Sequence, residues 1–382
     1  FDLPALAFDQ NGHLASDDAI REMDGERDNI IGRALGVSAA TLASTPLSVD
    51  RPSLVHEYNY SPMAAMYLSL EEIRALAADP SVSRIEPDRL GAPMLDTSID
   101  SIGARTLHNS GMTGDGVSVA ILDSGVDLQH PMFSGRIVDS ACFSTTDPAL
   151  GSTGFCPNGQ NIDTTSEQAG DNCEEYPDDP VNGAAGCFHG THVAGIAAGA
   201  DLENPNQPGQ ILRGVAPAAG IVAVQVFNRQ TNPAICGNDP ACIRTFDSDQ
   251  VAALEWLYTN RTTLNLASVN MSLGGGQYRY ACDSKPQASI IGLLRNAGIA
   301  TVIASGNDSY PDTIGSPACV SDAITVGSVA EASSVPFEVP EQLSSFSNSG
   351  FQVDMLAPGS GILSAYPRAN DTGDPRVFST DG

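Results

Sequence analysis

The chain has 382 residues, 41% of them hydrophobic, enough for one or two domains with a substantial core. Its formal net charge is −28, set mainly by a scarcity of cations: Lys285 is the one lysine, and the other basic residues are arginines. That balance argues against nucleic acid and anionic membrane surfaces as partners, and no apolar run is long enough to span a bilayer. It suits solubility outside the cell; adaptation to salty water is the sharper form of the same reading.

Taken in chain order, residues 53–68 alternate well enough for one or two strands. Leu70-Glu-Glu-Ile-Arg-Ala-Leu-Ala-Ala-Asp79 predicts a short helix with Ile73 and Leu76 inward, stopped by Asp79-Pro80. Residues 81–87 predict a strand with Val82 and Ile85 on one face, and residues 28–35 an earlier helix. Pro93, Asp96 and Gly103 point to an exposed, extended linker over residues 88–113. Val117-Ser-Val-Ala-Ile-Leu-Asp-Ser-Gly-Val126 is a buried strand that ends at Asp123 and turns at Ser124-Gly125.

Residues 139–186 read as an insertion with an acidic run: Asp163, Glu167, Asp171, Glu174, Glu175, Asp178 and Asp179. Hard cations favour such oxygens, so calcium is one reading; the spacing fits no EF-hand, and a solvated acidic loop is the other. Cys187-Phe-His-Gly-Thr-His-Val-Ala-Gly195 places His189 in a glycine-flanked turn before the small, apolar start of a buried helix. A strand over 221–226 follows, then a helix over 248–258 capped by Ser248, with Val251, Leu254 and Leu257 inward. A strand over 266–271 leads to Ser272, Leu273 and Gly274. A helix over 287–296 is closed by Gly298, and strands follow over 299–304 and 323–328. This alternation predicts an α/β fold with a parallel sheet covered by helices.

Asp123, His189 and Asn307 thus each stand where an element begins or ends. Active sites of open α/β sheets lie at the carboxyl ends of strands. An acid to orient a base, the base itself and an amide donor form the set that acyl transfer needs. A zinc reading of His189 and His192 lacks the spacing and the glutamate of a metalloprotease helix. Asn307-Asp-Ser309 and Asn270-Met-Ser272 also match the glycosylation sequon, but their expected burial argues against glycans.

These segments, with Gly214-Val-Ala-Pro217, Val269-Asn-Met-Ser-Leu-Gly-Gly275 and Met355-Leu-Ala-Pro-Gly359, resemble the subtilisin-like serine proteases, the subtilases, over residues 95–382. The resemblance implies a subtilisin-like parallel sheet with helices on both faces, and a secreted endopeptidase acting on protein or peptide substrates. It makes Asp123 the orienting acid, His189 the base, His192 a packed histidine and Asn307 the oxyanion donor. Ser272, Leu273 and Gly274 would pair with an extended substrate, and Ala304, Ser305 and Gly306 would wall a specificity pocket. Residues 1–94 resemble the small α+β inhibitory prodomain of such enzymes, an intramolecular partner released by cleavage between about residues 88 and 101; an unrelated accessory domain is the alternative. The nucleophilic Ser is expected just after Gly382, so the chain as given is expected to be an inactive, uncleaved precursor. The competing reading is a truncated pseudoprotease that binds or inhibits peptides. No cofactor is expected for catalysis, structural calcium is open, and a monomer is expected.

The cysteines at 142, 156, 173, 187, 236, 242, 282 and 319 suggest disulfides and an oxidising compartment. Cys236–Cys242 would close a short loop and Cys282–Cys319 a longer one, leaving Cys142, Cys156, Cys173 and Cys187 to pair among themselves. A zinc site is disfavoured, since no C-x-x-C pair exists.

Overall fold

The computed structural model describes residues 17–38, 41, 53–57, 64–82, 85, 95–174, 182–237, 239–330, 342–368 and 376–380. The chain divides into two compact units, residues 1–90 and 91–382.

The first unit contains α1 (Asp17–Leu35), the antiparallel pair β1 (Ser53–Glu57) and β2 (Ala64–Tyr67), and α2 (Leu70–Ala77). A capping box starts α2: the Ser69 hydroxyl accepts the Glu72 N–H at 3.3 Å, and the Glu72 carboxylate accepts the Ser69 N–H at 2.6 Å. Arg33, in the last turn of α1, forks onto both oxygens of Asp79 at 2.8 and 3.0 Å. The strand expected over 81–87 is not formed at Ser81, Val82 or Ile85. Asp79 accepts the Ser81 N–H on its side chain and the Val82 N–H on its carbonyl, both at 3.0 Å, and this bends the chain into a turn. Ile85 is 39% exposed. Positions 83, 84, 86 and 87 lie outside the described residues.

The second unit begins with α3 (Leu95–Ser101) and α4 (Ala104–Asn109), where an extended linker was expected. Burial of Ile99 and Ala104 decides this, a tertiary effect that two isolated apolar positions do not announce. Residues 88–94 lie outside the described residues. The chain then runs through β3 (Ser118–Asp123), β4 (Ile137–Phe143), β5 (Ile162–Asp163), α5 (His189–Ala198), β6 (Gly220–Gln225), α6 (Asp247–Asn260), β7 (Leu266–Met271) and β8 (Gly275–Tyr278). It continues through α7 (Ala288–Asn296), β9 (Ala300–Ala304), β10 (Ile314–Ser316), β11 (Ile324–Ala330), β12 (Met355–Ser360), β13 (Ile362–Tyr366) and β14 (Arg376–Thr380).

Eight strands form the main sheet in the order β12-β11-β9-β7-β3-β6-β4-β5, parallel except for the short edge strand β5. So β4 belongs to the sheet, and the expected insertion begins only after it. In β3, Ala120 and Leu122 join the core beneath α6 and α7, whereas Ile121 packs on the opposite face with Val193, Ala194 and Ala198 of α5. A strand covered on both faces needs apolar residues at successive positions, which is why β3 and β6 lack a polar–apolar alternation. Helix α6 starts at Asp247 rather than at a Ser248 cap. Asp247 and Asp249 place negative charge in its first turn, and Asp249 accepts the Thr145 N–H and hydroxyl at 3.0 and 2.6 Å.

Four disulfides join Cys142 to Cys156, Cys173 to Cys187, Cys236 to Cys242 and Cys282 to Cys319. No described helix is long and apolar enough to cross a membrane.

Leu254 is fully buried between α6 and the sheet. Leu254→Ala is expected to cost about 2–5 kcal/mol, read as a lower denaturation midpoint.

Candidate active site

Three neighbouring strands of the sheet, β9, β7 and β3, deliver three segments to one carboxyl edge. Asp123 is the last residue of β3, Ser272–Gly274 follow β7, and Ser305–Asn307 follow β9. At about 4.8 Å per strand, the outer two of these ends are roughly 10 Å apart.

His189 is the first residue of α5. The helix approaches β3 closely because its second residue is glycine. A Cβ on Gly190 would lie 2.2 Å from the Gly125 carbonyl oxygen and 3.0 Å from Asp123 Cβ. This approach brings His189 Nδ1 to 2.7 Å from Asp123 Oδ1. Asp123 is fully buried, while the His189 side chain keeps 27% of its surface exposed. The carboxylate accepts Nδ1–H, which leaves Nε2 as the basic nitrogen. Burial pushes the His189 pKa down, but the Asp123 charge and hydrogen bond outweigh it and raise it above the ordinary 6.5.

Ser124 cross-braces the two elements. Its hydroxyl donates to the Cys187 carbonyl at 3.1 Å and accepts the Gly190 N–H at 2.9 Å, and its N–H reaches Asp123 Oδ1 at 2.7 Å. Gln225, at the end of β6, donates to the Ser124 carbonyl at 2.7 Å. The disulfide partner of Cys187, Cys173, ties the acidic segment to the entrance of α5.

His192 plays no part at this edge. It is buried, Nε2 lies 3.0 Å from the Ile362 carbonyl, and its own carbonyl accepts the Ser364 hydroxyl at 2.8 Å. Asn307 lines a cavity of about 140 Å³ together with Asn270, Ser272, Ala304, Ser305 and Gly306. The Leu273 side chain is in the core, and the Ser305 hydroxyl is buried and donates to the Asn348 carbonyl at 2.9 Å. Any contact from these two comes from their backbones. The Gly275 backbone pairs in register with Ser316 of β10.

A second polar cluster adjoins the pair and had no signal in the sequence. Asp127 accepts three hydrogen bonds from Arg368: the backbone N–H at 3.0 Å, Nε at 2.9 Å and Nη2 at 2.9 Å. The Asp127 N–H donates to the Thr191 hydroxyl of α5 at 2.9 Å. Two residues before Arg368, Tyr366 stacks on Phe188, with ring centroids 5.4 Å apart. Burial raises the Asp127 pKa, but Arg368 more than offsets this and the net shift is downward. Asp171 is pushed up to about 6, first by burial and then by the Asp127 charge.

The acidic run does not assemble a cation site among the described residues, where no group of three or more His, Cys, Asp or Glu side chains could hold a metal ion. Asp163 accepts from Thr165 and Ser166, and Asp171 from the Leu128 and Asn172 N–H groups. Glu175, Asp178 and Asp179 lie outside the described residues.

A profile of the subtilase family matches residues 114–377, well over half of the chain. The chain belongs to the subtilase family. Subtilisin E of Bacillus subtilis (strain 168) is 28% identical, over 90% of this chain and 74% of its own length. The alkaline protease of Shouchella clausii is 30% identical, over 82% of this chain and 64% of its own. The alkaline serine exoprotease A of Vibrio alginolyticus is 30% identical, over 84% of this chain and 51% of its own. In this subtilase the Asp123–His189 pair and the Asn307 segment therefore stand within the matched region.

Folding favours the protonated form of Asp171. Its stabilising contribution is full below the unfolded value near 3.8 and is lost as pH rises through about 6. Asp171→Asn removes that loss. Its thermal midpoint should exceed that of the wild type by a few degrees at pH 8, and the gap should close by pH 4.

Proposed function

We propose that this subtilase is a secreted serine endopeptidase in which Asp123, His189 and a serine beyond Gly382 form the catalytic set, with Asn307 as the oxyanion donor. The observation that carries the reading is the 2.7 Å hydrogen bond from His189 to a fully buried carboxylate at the carboxyl edge of the sheet. The Asp fixes the tautomer and stabilises the imidazolium; Nε2 of the part-exposed ring is then the nitrogen that serves a hydroxyl. Among the described residues no hydroxyl is hydrogen-bonded to His189. By the family resemblance the serine follows Gly382, which lies outside the described residues.

In the first step the serine oxygen attacks the peptide carbonyl as its proton passes to His189 Nε2, and the Asn307 amide hydrogen-bonds the resulting oxyanion. The C–N bond then breaks, the imidazolium gives its proton to the leaving amine, and an acyl-enzyme remains. Water hydrolyses it with His189 again as base. Extended substrates would lie along the Ser272–Gly274 backbone, and Ala304–Gly306 would wall the pocket beside them. Residues 1–94 would serve as an intramolecular inhibitor, cut away between about residues 88 and 101. Four disulfides support an oxidising, extracellular setting. Structural calcium would be held by carboxylates of the acidic run, and the reaction itself would need no cofactor.

A fluorophosphonate probe on the complete protein tests this. The expected result is one labelled serine, with labelling abolished by His189→Ala; absence of label after removal of residues 1–94 would sink the reading in favour of a peptide-binding pseudoprotease. Because the His189 pKa is raised and the neutral base is the active form, kcat/KM should climb with pH through an inflection above 6.5. Asp123→Asn should lower kcat by about 10⁴, and Asn307→Ala by about 10²–10³.

A further inference from the structure

Asn348 is fully buried and uses every hydrogen-bonding position of its side chain on the loop that carries Asn307. Its Oδ1 accepts the Asp308 N–H at 2.9 Å and the Tyr310 N–H at 3.1 Å. Its Nδ2 donates to the Ser305 carbonyl at 3.2 Å and, more weakly, to an Asp308 carboxylate oxygen at 3.4 Å. The backbone joins in: the Asn348 N–H donates to the Gly306 carbonyl at 2.8 Å, and its carbonyl accepts the Ser305 hydroxyl at 2.9 Å. Residues 305, 306 and 308, on both sides of Asn307, are thus tied to one side chain and its own peptide groups. Gly306 makes room for this arrangement. It has φ +114°, and a Cβ there would lie 2.2 Å from Asn348 Nδ2.

We infer that Asn348 is a positioning residue for the oxyanion site: it sets where the Asn307 amide points by clamping the loop before and after it. The inference rests on the endopeptidase reading above. An oxyanion donor works only within about 2.7–3.1 Å of the charge that develops, so its loop must hold position before the reaction starts. A displacement of about 1 Å at such a group costs on the order of 10²-fold in rate. The chemistry of asparagine suits the task. It presents two acceptor lone pairs and two N–H donors at one planar end, and here they span a loop whose N–H and C=O groups point inward. Aspartate in its place would keep both acceptor bonds but lose both donor bonds, and it would set a second carboxylate against Asp308.

A buried, fully bonded asparagine also stabilises the fold, so the test must separate position from stability. We would measure peptide hydrolysis by the complete protein in a double-mutant cycle of Asn348→Ala and Asn307→Ala, with thermal midpoints recorded for each variant. With Asn307 present, Asn348→Ala should lower kcat by about 10–100-fold and move KM by less than about twofold. With Asn307 already removed, the same substitution should cost less than about threefold, because the donor it positions is gone. Equal losses in both backgrounds would mean that Asn348 acts only through the folded fraction, and would overturn the inference; so would an unchanged kcat in the single variant. If Asn348→Ala does not accumulate as folded protein, Asn348→Asp takes its place in the cycle with the same two criteria. A wild-type protein that hydrolyses no peptide overturns the endopeptidase reading and this inference with it, and is recognised before any variant is compared.

Discussion

The burial of Asp123 is the constraint on which the rest of the site depends. A carboxylate removed from water needs charge or hydrogen bonds around it. Here Oδ1 receives His189 Nδ1–H and the Ser124 N–H, while Oδ2 is buried with no hydrogen-bond partner among the described residues. One consequence is close packing: α5 must start almost against β3, and only glycine at position 190 permits it. Another is rigidity. Ser124 bonds both to the residue two before His189 and to the residue after it, so the turn that follows Asp123 and the start of α5 move together or not at all.

The strand β13 extends this coupling around the start of α5. His192 meets the Ile362 carbonyl, Ser364 meets the His192 carbonyl, Tyr366 stacks on Phe188, and Arg368 closes on Asp127. These contacts fall at residues 362, 364, 366 and 368, while Leu363 and Ala365 share the core with Val193, Ala194 and Ala198 of α5. β14 pairs antiparallel with β13, placing Thr380 opposite Ile362. The end of β14 therefore lies beside the residue of β13 whose carbonyl meets His192.

Electrostatics sets a different constraint on the same molecule. With a net charge of −28, few carboxylates can find a cation, and the arginines are placed with purpose. Arg368 neutralises Asp127 beside the site, Arg33 joins two elements of the first unit, and Arg136 bonds the Ala198, Ala219 and Met132 carbonyls near the end of α5. Surplus negative charge disfavours the compact state through self-repulsion. Disulfides act in the opposite sense by restricting the unfolded chain, typically by about 2–4 kcal/mol each. Cys173–Cys187 does so at the entrance to α5, where loosening would reach His189 first.

Much of this was legible in the residues alone. The apolar runs of β3, β6 and β9 announced a sheet covered on both faces, and Asp123, His189 and Asn307 stood out because each lies at or just beyond the end or start of an element, within two residues of a glycine. The sheet was readable because turns, buried strands and helix starts are written within a few neighbouring residues. The sequence misled where burial or a local turn overruled the apolar pattern. The segment around Ile99 became helical because a core received it, and Val82 turned because Asp79 captured its N–H. What only the tertiary structure decided are the partners far apart in the chain. Asp127 meets Arg368 across 241 positions, and Asn348 reaches Asp308 across 40. No local rule pairs such residues: an Arg or Asn near a turn reads as a solvated surface group until folding brings it against the one group it can satisfy.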